Sequence, residues 1–551
     1  MIPYKLNSRL VLLAVIGIAL YFMANIWSSL YSTDSLDPPY EQPKVSKAQA
    51  THAATEFISK QFPEFAAGPS TIVYDSNKSL SSYVQKYNFS KVYQELYGVQ
   101  YPLNYWRVNL KDARSNASYV VQIGMVNPDI VAWRKTTTTR ARNSMDQQAI
   151  AEQYLARAGY NLKQLQITTP KSGDSPNLIR IDSLDKAIGK AHLQLTLRVA
   201  EDSIISFEPE FAVPTSDIRW IERQDKYADR MSLISALLTL LLGLVALGLV
   251  IRNRKFISFR RGVFLSLLFW GISSVNSINM MELIDTDVGL AENHVFNAAN
   301  LILSFGFNFI VAAAIYFMLL SGDQLWREEG WQAWPQWRQP RYGEHVFHAM
   351  GRGYLICLFI IGVQQILFLF AGNIFQSFAI NDPSQSEFNM LWPGIFPTMA
   401  WMAGISEEII FRLFGIIFFK RLTGNNFIAI LLSSVIWALG HTSYSIYPSY
   451  TRLFEVAVLG IIFGYVFLKY GLITAIFAHV AMDSLLMGLS LIFSFGTSQY
   501  AALGLFYILL PAIVGYLILR LHRKFWRHPS IQPLMSPVIQ PGEPPREGRL
   551  E

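Results

Sequence analysis

Long runs of apolar residues dominate this sequence and constrain its fold more than any other feature. A helix needs about 20 such residues to cross a bilayer, and the chain repeats runs of roughly this length from end to end. They are Leu10–Leu30, Met231–Ile251, Gly262–Ile284, Ala298–Leu320, Gly353–Ile380, Met390–Phe419, Phe427–Ile446, Phe454–Tyr470, Leu472–Phe495 and Ala501–Leu519. Charged residues make up only 15% of the chain, against about 25% in an ordinary soluble domain. The pattern predicts a polytopic α-helical membrane protein with about ten spans, and it excludes fibrous and disordered chains.

A long stretch of normal polarity, residues 31–230, separates the first two apolar runs. Such a stretch must fold in water on one side of the membrane. In Lys47–Phe62, apolar residues recur at i, i+3, i+4 and i+7, as on one helix face, and strand-like runs follow. A similar helical segment at Asp146–Gly159 is again followed by strand-like runs. We expect an α/β (α+β) domain inserted between spans 1 and 2. It loosely resembles two PepSY-type extracytoplasmic repeats.

The positive charges indicate how the chain is oriented. Lys and Arg cluster at Arg252–Arg261, Lys420–Arg421 and Arg520–Arg527, which the predicted spans bring to one side. Cytoplasmic loops carry such an excess, so both termini are predicted in the cytoplasm, the polar domain outside it, and the protein in the plasma membrane. The net charge of +7 is thereby explained without a nucleic-acid partner.

Five segments follow from this layout. The first apolar run is long and no clear cleavage site follows it, so we expect an uncleaved anchor rather than a signal peptide. The predicted segments are an N-terminal membrane anchor (1–30), an extracytoplasmic domain (31–230), spans 2–4 with a cytoplasmic loop (231–352), a C-terminal membrane bundle (353–522) and a cytoplasmic tail (523–551). The single cysteine, Cys357, excludes an intrachain disulfide.

Ionisable residues lie inside the apolar runs of the C-terminal bundle, where each charge costs roughly 2.5–3.5 kcal/mol at the bilayer centre. Residues of this kind usually face a cavity or a partner. They form three short patterns: Glu407-Glu408-Ile409-Ile410-Phe411-Arg412, Trp437-x-x-x-His441 and His479-Val480-Ala481-Met482-Asp483.

The two carboxylates of the first pattern differ in their surroundings. Glu408 and Arg412 are four residues apart and can pair on one helix face, which lowers the insertion cost of both. Glu407 is turned away by about 100° and has no partner within its own helix. It is therefore suited to act as a general base on water. The alternative is a charge cluster near the interface, because Lys420 follows closely.

The two histidines are weaker signals when taken singly. A lone intramembrane histidine such as His441 more often makes a hydrogen bond between helices than a catalytic contact. His479 and Asp483 project together, and they can fix the imidazole tautomer or bind a metal. The alternative is a simple packing pair. No comparable cluster occurs in the earlier runs, so the combination favours a single site.

Read in order, the three patterns E-E-x-x-x-R, aromatic-x-x-x-H and H-x-x-x-N/D resemble the CPBP family. This family takes in type II CAAX prenyl endopeptidases and bacteriocin-processing or abortive-infection-like membrane proteases. The resemblance covers about a fifth of the chain, from Trp392 to Phe495. It implies an intramembrane protease and leaves the polar domain and the first spans outside the matched region.

The resemblance also implies roles for individual residues. Glu407 would be the base that activates the hydrolytic water, and His441 would act with it on that water. Glu408 and Arg412 would shape the site and balance its charge. Because Glu407 is nearer the Lys420 end of its predicted span, we expect the site in the cytoplasmic half of the membrane, whereas the predicted bounds place His441 toward the opposite end of its own span.

The third pattern departs from the family in one position. His479 with Asp483 would stabilise the oxyanion or complete a metal site, but Asp483 stands where the prenyl-protease branch commonly has Asn. An ionised Asp cannot donate to an oxyanion, so orienting His479 or binding a metal suits it better. In the second pattern, Trp437 stands where Phe is common, and we expect it to serve as an aromatic wall.

The sequence leaves the use of a metal open. The family is named as metalloproteases, although a glutamate mechanism without metal is also argued for some members. Zinc would be the metal, held by ligands drawn from Glu407, His441, His479 and Asp483. The pattern H-E-x-x-H is absent from the chain.

The function predicted is a membrane endopeptidase that hydrolyses peptide bonds with water activated by Glu and His. Its substrate would be a membrane-embedded or lipid-linked peptide or protein, and the outer domain could bind a ligand or a partner. The alternative is a non-catalytic scaffold or regulator that keeps the protease fold. A proton-coupled transporter would also use buried Glu and His, but no internal duplication of the kind common in transporters is visible in the bundle.

Overall fold

The computed structural model describes residues 8–31, 42–136, 147–168, 177–200, 203–281 and 294–525. They form a sheet domain and a bundle of long apolar helices that contact one another. The helices are α1 (Ser8–Tyr31), α2 (Lys47–Gln61), α3 (Lys78–Lys86), α4 (Ser90–Leu96), α5 (Gln147–Arg157), α6 (Thr215–Arg252), α7 (Val263–Asn279), α8 (His294–Glu328), α9 (Tyr342–Phe375), α10 (Met399–Glu407), α11 (Ile416–Thr423), α12 (Asn426–Leu439), α13 (Ser449–Tyr470), α14 (Leu472–Phe495) and α15 (Ser498–Phe525).

The sheet domain is built on one antiparallel sheet of eight strands in the order β1-β2-β3-β4-β8-β7-β6-β5. The strands are β1 (Ala67–Ser76), β2 (Asn104–Asp112), β3 (Ser118–Gly124), β4 (Ile130–Thr136), β5 (Leu165–Thr168), β6 (Leu178–Ile188), β7 (Ala191–Ala200) and β8 (Ser203–Ala212). The first four follow α2 and the last four follow α5, and the two groups join where β4 pairs with β8. The prediction of an α/β domain in the N-terminal half is confirmed.

Burial explains why these segments adopt their structures. Ala50, Ala54 and Ile58 of α2 are fully buried, and their spacing is the helical stripe seen in the sequence. In β7, alternate residues from Leu193 to Val199 are buried, as in a strand with one face on the core. The two helix-plus-sheet groups match the order expected from the sequence, and the PepSY resemblance stays a prediction.

The number of spans differs from the prediction of about ten. Within the described residues, seven helices are long and apolar enough to cross a membrane: α1, α6, α8, α9, α13, α14 and α15. The predicted spans Gly262–Ile284 and Phe427–Ile446 contain the shorter apolar helices α7 and α12. The protein is thus an integral membrane protein, and the count of ten is not confirmed.

The predicted span Met390–Phe419 is not a single regular helix. Residues 393–398 form a 3₁₀ turn that begins at Pro393 and contains Pro397. Proline lacks the N–H that an α-helix interior requires, so α10 starts only at Met399. A π-helical segment, Glu408–Gly415, then leads into α11.

Two helices connect the N-terminal half to the bundle. Helix α6 runs without a break from the sheet domain to Arg252, across the predicted domain boundary at residue 231. Helix α1 lies against α9, where a Cβ added to Gly362 would come within 2.0 Å of the carbonyl oxygen of Gly17. Small residues allow membrane helices to approach this closely.

The segment between α9 and α10, residues 376–398, is called the strap here because it contacts both parts of the molecule. The Asn389 side chain accepts a 2.7 Å hydrogen bond from the Tyr74 N–H and donates a 2.9 Å bond to the Tyr74 carbonyl. Phe388 is buried in the core of the sheet domain. The strap also forms β9 (Phe378–Ala379), which pairs with β10 (Ile446–Tyr447) after α12. It thereby joins the sheet domain to the helix that carries Glu407.

Candidate functional site

The three sequence patterns converge in the bundle. Glu407 ends α10, Glu408 and Arg412 lie in the π-helical segment, His441 follows α12, and His479 lies with Asp483 on α14. π-helical turns are often found at functional sites. The structure brings all six predicted site residues together.

Glu408 and Arg412 form the buried floor of the site. The Glu408 side chain is fully buried, and its Oε1 lies 3.3 Å from Nη1 of Arg412. The Arg412 guanidinium also lies 4.1 Å from the centroid of the Trp437 ring and 5.2 Å from that of Phe463. The anion and the aromatic faces offset part of the cost of removing the Arg412 charge from water, although its Nη1 and Nη2 atoms have no hydrogen-bond acceptor among the described residues.

Glu408 also orients a histidine. Its Oε1 lies 2.8 Å from Nδ1 of His479, whose side chain is buried. The other ring nitrogen, Nε2, lies 3.8 Å from Glu407 and 3.5 Å from Asp483. Both ring nitrogens therefore face carboxylates, and only the doubly protonated ring can donate to Glu408 and to another carboxylate at once.

Glu407 lies at the centre of the cluster and is more accessible, with 21% of its side chain exposed. Its Oε1 lies 3.8 Å from Nε2 of His441, and its Oε2 lies 3.8 Å from Nε2 of His479. Oε2 also accepts a hydrogen bond from the Trp437 indole N–H. One carboxylate oxygen is thus fixed by Trp437, while the other faces His441.

His441 has a defined tautomer when neutral. Its Nδ1 lies 2.9 Å from the carbonyl oxygen of Trp437, which can only accept, so Nδ1 carries the hydrogen. The neutral ring then presents the Nε2 lone pair toward Glu407. The ring of Tyr444 stacks on His441 with centroids 6.0 Å apart and an interplanar angle of 13°.

The residues predicted as metal ligands do not form a metal centre in this arrangement. Throughout the described ranges, no three His, Cys, Asp or Glu side chains converge closely enough to hold a metal ion. Nε2 of His479 faces two carboxylates, whereas Nε2 of His441 faces one.

The site lies toward the end of the bundle that carries the sheet domain. Thr442, next to His441, donates a 3.2 Å hydrogen bond to the carbonyl of Ala228, and Ser235 donates a 2.7 Å bond to Ile436. Ala228 lies just before the apolar run of α6 that begins at Met231, and Ser235 lies near the start of that run. Glu407 ends the nine-residue helix α10, which begins only at Met399, and the expected position in the cytoplasmic half of the membrane stays a prediction.

A second polar cluster, which the three sequence patterns did not predict, lies beside the site. Arg452 and Glu455 form an ion pair on α13, and Gln364 of α9 donates a 2.8 Å hydrogen bond to Glu455. The Arg452 guanidinium lies 5.0 Å from the Tyr444 ring centroid. The signal that could have found this cluster is a charged pair three residues apart in an otherwise apolar run.

Comparison with known proteins agrees with the sequence motifs. Residues 389–485 match the family model described as Type II CAAX prenyl endopeptidase Rce1-like. Over 171 residues the chain is 27% identical to the sporulation-killing factor biosynthesis protein SkfC of Bacillus subtilis (strain 168), covering 30% of this chain and 32% of that protein. The chain thus spans about a third of that relative's length. No solved structure matches the chain.

All six site residues fall within the matched range, and the sheet domain lies outside it. The predicted resemblance is confirmed for the C-terminal region, which matches the Rce1-like family of type II CAAX prenyl endopeptidases.

Proposed function

We propose that this protein is an intramembrane endopeptidase whose hydrolytic water is activated by Glu407 with His441. The observation that carries the proposal is the position of the Glu407 carboxylate, 3.8 Å from Nε2 of His441 and 3.8 Å from Nε2 of His479. A water molecule hydrogen-bonded to both Glu407 and His441 would fit a general-base arrangement.

The reaction would proceed by direct attack of water on the peptide carbonyl. Glu407 takes a proton from the water as its oxygen bonds to the carbonyl carbon, and the carbonyl oxygen becomes an oxyanion. An N–H of His479, oriented by Glu408, would stabilise that oxyanion. Collapse of the intermediate breaks the C–N bond, and Glu407 returns its proton to the leaving amine.

Asp483 would orient His479 rather than contact the oxyanion. Its Oδ2 lies 3.5 Å from Nε2 of His479, and an ionised carboxylate has no proton to donate. Arg412 would balance the charge of Glu408, so that Glu408 remains an acceptor for His479.

The proposal also covers the orientation of the chain in the membrane, the substrate and the role of the sheet domain. The clusters of Lys and Arg support cytoplasmic termini and a sheet domain on the outer side of the plasma membrane. The substrate would be a membrane-embedded or lipid-linked peptide or protein, and the sheet domain would bind a ligand or partner. Activity of the wild type with and without a chelator tests whether zinc takes part.

The test compares the protein termini present in membranes that contain the wild type or the Glu407→Gln variant. Glu329→Gln serves as the matched control, because Glu329 is a partly exposed carboxylate beside Lys420, outside the site. We expect specific new termini with the wild type and the control, and none of them with Glu407→Gln. Identical termini in all three membranes would contradict a protease and leave the scaffold interpretation.

A further inference from the structure

A cavity of about 360 Å³ lies between the sheet domain, the strap and the bundle. Its walls include Tyr74 from β1, Gln365 from α9, Asn381 and Glu387 from the strap, and Leu486 with Ser490 from α14. This cavity, called the chamber here, has the size typical of ligand sites, which run from about 300 to 1,000 Å³.

The chamber lies beside the candidate catalytic residues, none of which lines it. Tyr444 and Arg452 both line it. The Tyr444 ring stacks on His441, and Nε2 of His441 lies 3.8 Å from Glu407. A molecule held in the chamber is therefore separated from the proposed base by only the Tyr444 and His441 rings.

The walls of the chamber combine polar and apolar groups. More than half of the lining residues carry an amide, a hydroxyl or a charge. Some of these groups are already bonded, such as Glu387, which accepts a 2.7 Å hydrogen bond from Ser490. By contrast, Nε of Arg452 is buried with no acceptor among the described residues.

This chemistry distinguishes between two kinds of substrate. An isoprenoid chain offers no hydrogen-bonding groups, so it would leave Nε of Arg452 unpaired and would remove other polar wall groups from water, which is costly. An extended peptide offers one N–H and one C=O at nearly every residue. Aromatic and aliphatic walls, such as Phe368 and Ile446, leave room for its side chains.

We propose that the chamber holds an unmodified polypeptide segment of the substrate, which arrives from the side of the membrane that bears the sheet domain. This inference rests on the proposed protease function and adds to it the route and the chemical class of the bound segment. The strap, the sheet domain and the bundle all contribute residues to the chamber wall. The bound segment would therefore contact all three.

The experiment blocks the chamber reversibly by attaching a bulky group to an introduced cysteine. The only native cysteine, Cys357, is buried, so a cysteine at Leu486 can be modified selectively with a bulky methanethiosulfonate reagent. Leu505→Cys is the matched control, because Leu505 is 55% exposed on the outside of α15. Cleavage of a quenched fluorescent library of unmodified peptides is measured before modification, after it, and after dithiothreitol has removed the reagent. A farnesylated peptide is tested in parallel.

We expect modification of Leu486→Cys to lower kcat/KM by about tenfold or more, with recovery on reduction, and Leu505→Cys to change by less than about twofold. Because each protein is its own control, misfolding cannot imitate this result. Unchanged kcat/KM after modification of Leu486→Cys would overturn the proposal, as would cleavage of the farnesylated peptide alone. Glu407→Gln separates the two claims: if it cleaves the library as the wild type does, the protease function itself fails.

Discussion

Among the contacts of the site, we expect loss of the ion pair between Glu408 and Arg412 to lower the free energy of unfolding the most. Arg412 is 1% exposed and Glu408 is completely buried, with 3.3 Å between the paired atoms. Replacing Arg412 with Met keeps most of the side-chain volume but leaves Glu408 as a buried charge beside His479.

The magnitude follows from the burial of both partners. Removing one partner of a buried pair costs about 3–5 kcal/mol, because the remaining charge has lost its counterion and is shielded from water; the hydrogen bond from His479 would offset only part of this loss for Glu408. Replacing both, as in Glu408→Gln with Arg412→Met, leaves no unpaired charge, and the Gln oxygen can still accept from His479. We therefore expect the double variant to be more stable than Arg412→Met alone, with a coupling of about 2 kcal/mol or more.

The assay is reversible unfolding of the full-length protein in mixed micelles, titrated with sodium dodecyl sulfate and followed by tryptophan fluorescence. The wild type, both single variants and the double variant complete a mutant cycle. A decrease of less than about 1 kcal/mol in the free energy of unfolding of Arg412→Met would refute the expected cost of the unpaired charge, and additive single effects would refute the expected coupling.

Three further changes test other contacts. Trp437→Phe removes the N–H that fixes Glu407 but keeps the ring, so kcat should fall about tenfold or more while the free energy of unfolding, from the same titration, stays close to wild type. Gly362→Leu places a side chain against Gly17, and overpacking should lower the free energy of unfolding by about 1–3 kcal/mol; unchanged stability would contradict the observed helix contact. Asn389→Leu removes both bonds to Tyr74, so hydrogen exchange should speed up in β1 but not in β7, and equal exchange in both strands would contradict the role of the strap.

Local spacing made much of the candidate site predictable. The i, i+4 relations of Glu408 with Arg412 and of His479 with Asp483 both appear as close contacts in the structure, at 3.3 and 3.5 Å. Spacing within one helix fixes such neighbours because the helix geometry is regular. Their catalytic roles stay predictions.

Contacts between distant segments were not predictable in this way. The bond from Trp437 to Glu407 and the bond between Glu408 and His479 depend on how α10, α12 and α14 are arranged. In the sequence, Trp437 could be read only as an aromatic wall. The resemblance placed these residues in one site, but it did not reveal which atoms meet.

The hydropathy of the predicted span Met390–Phe419 did not indicate that a regular α-helix begins only at Met399. The run Met390–Phe419 is apolar throughout most of its length, yet its first part belongs to the strap and contacts the sheet domain. Two prolines and the hydrogen bonds of Asn389 override the apolar pattern there. The order of the eight strands likewise depends on pairing between residues far apart, such as Trp133 with Phe207, which alternation alone does not specify.

The most direct test of the central claim is the rate of peptide hydrolysis by purified Glu407→Gln in detergent, beside the wild type, with and without a chelator. The free energy of unfolding is measured on the same samples. The account predicts a loss of about a hundredfold to ten-thousandfold in kcat, as expected when a general base is removed, with stability close to wild type. Inhibition of the wild type by the chelator would show that a metal takes part. Hydrolysis by Glu407→Gln at the wild-type rate would contradict the account.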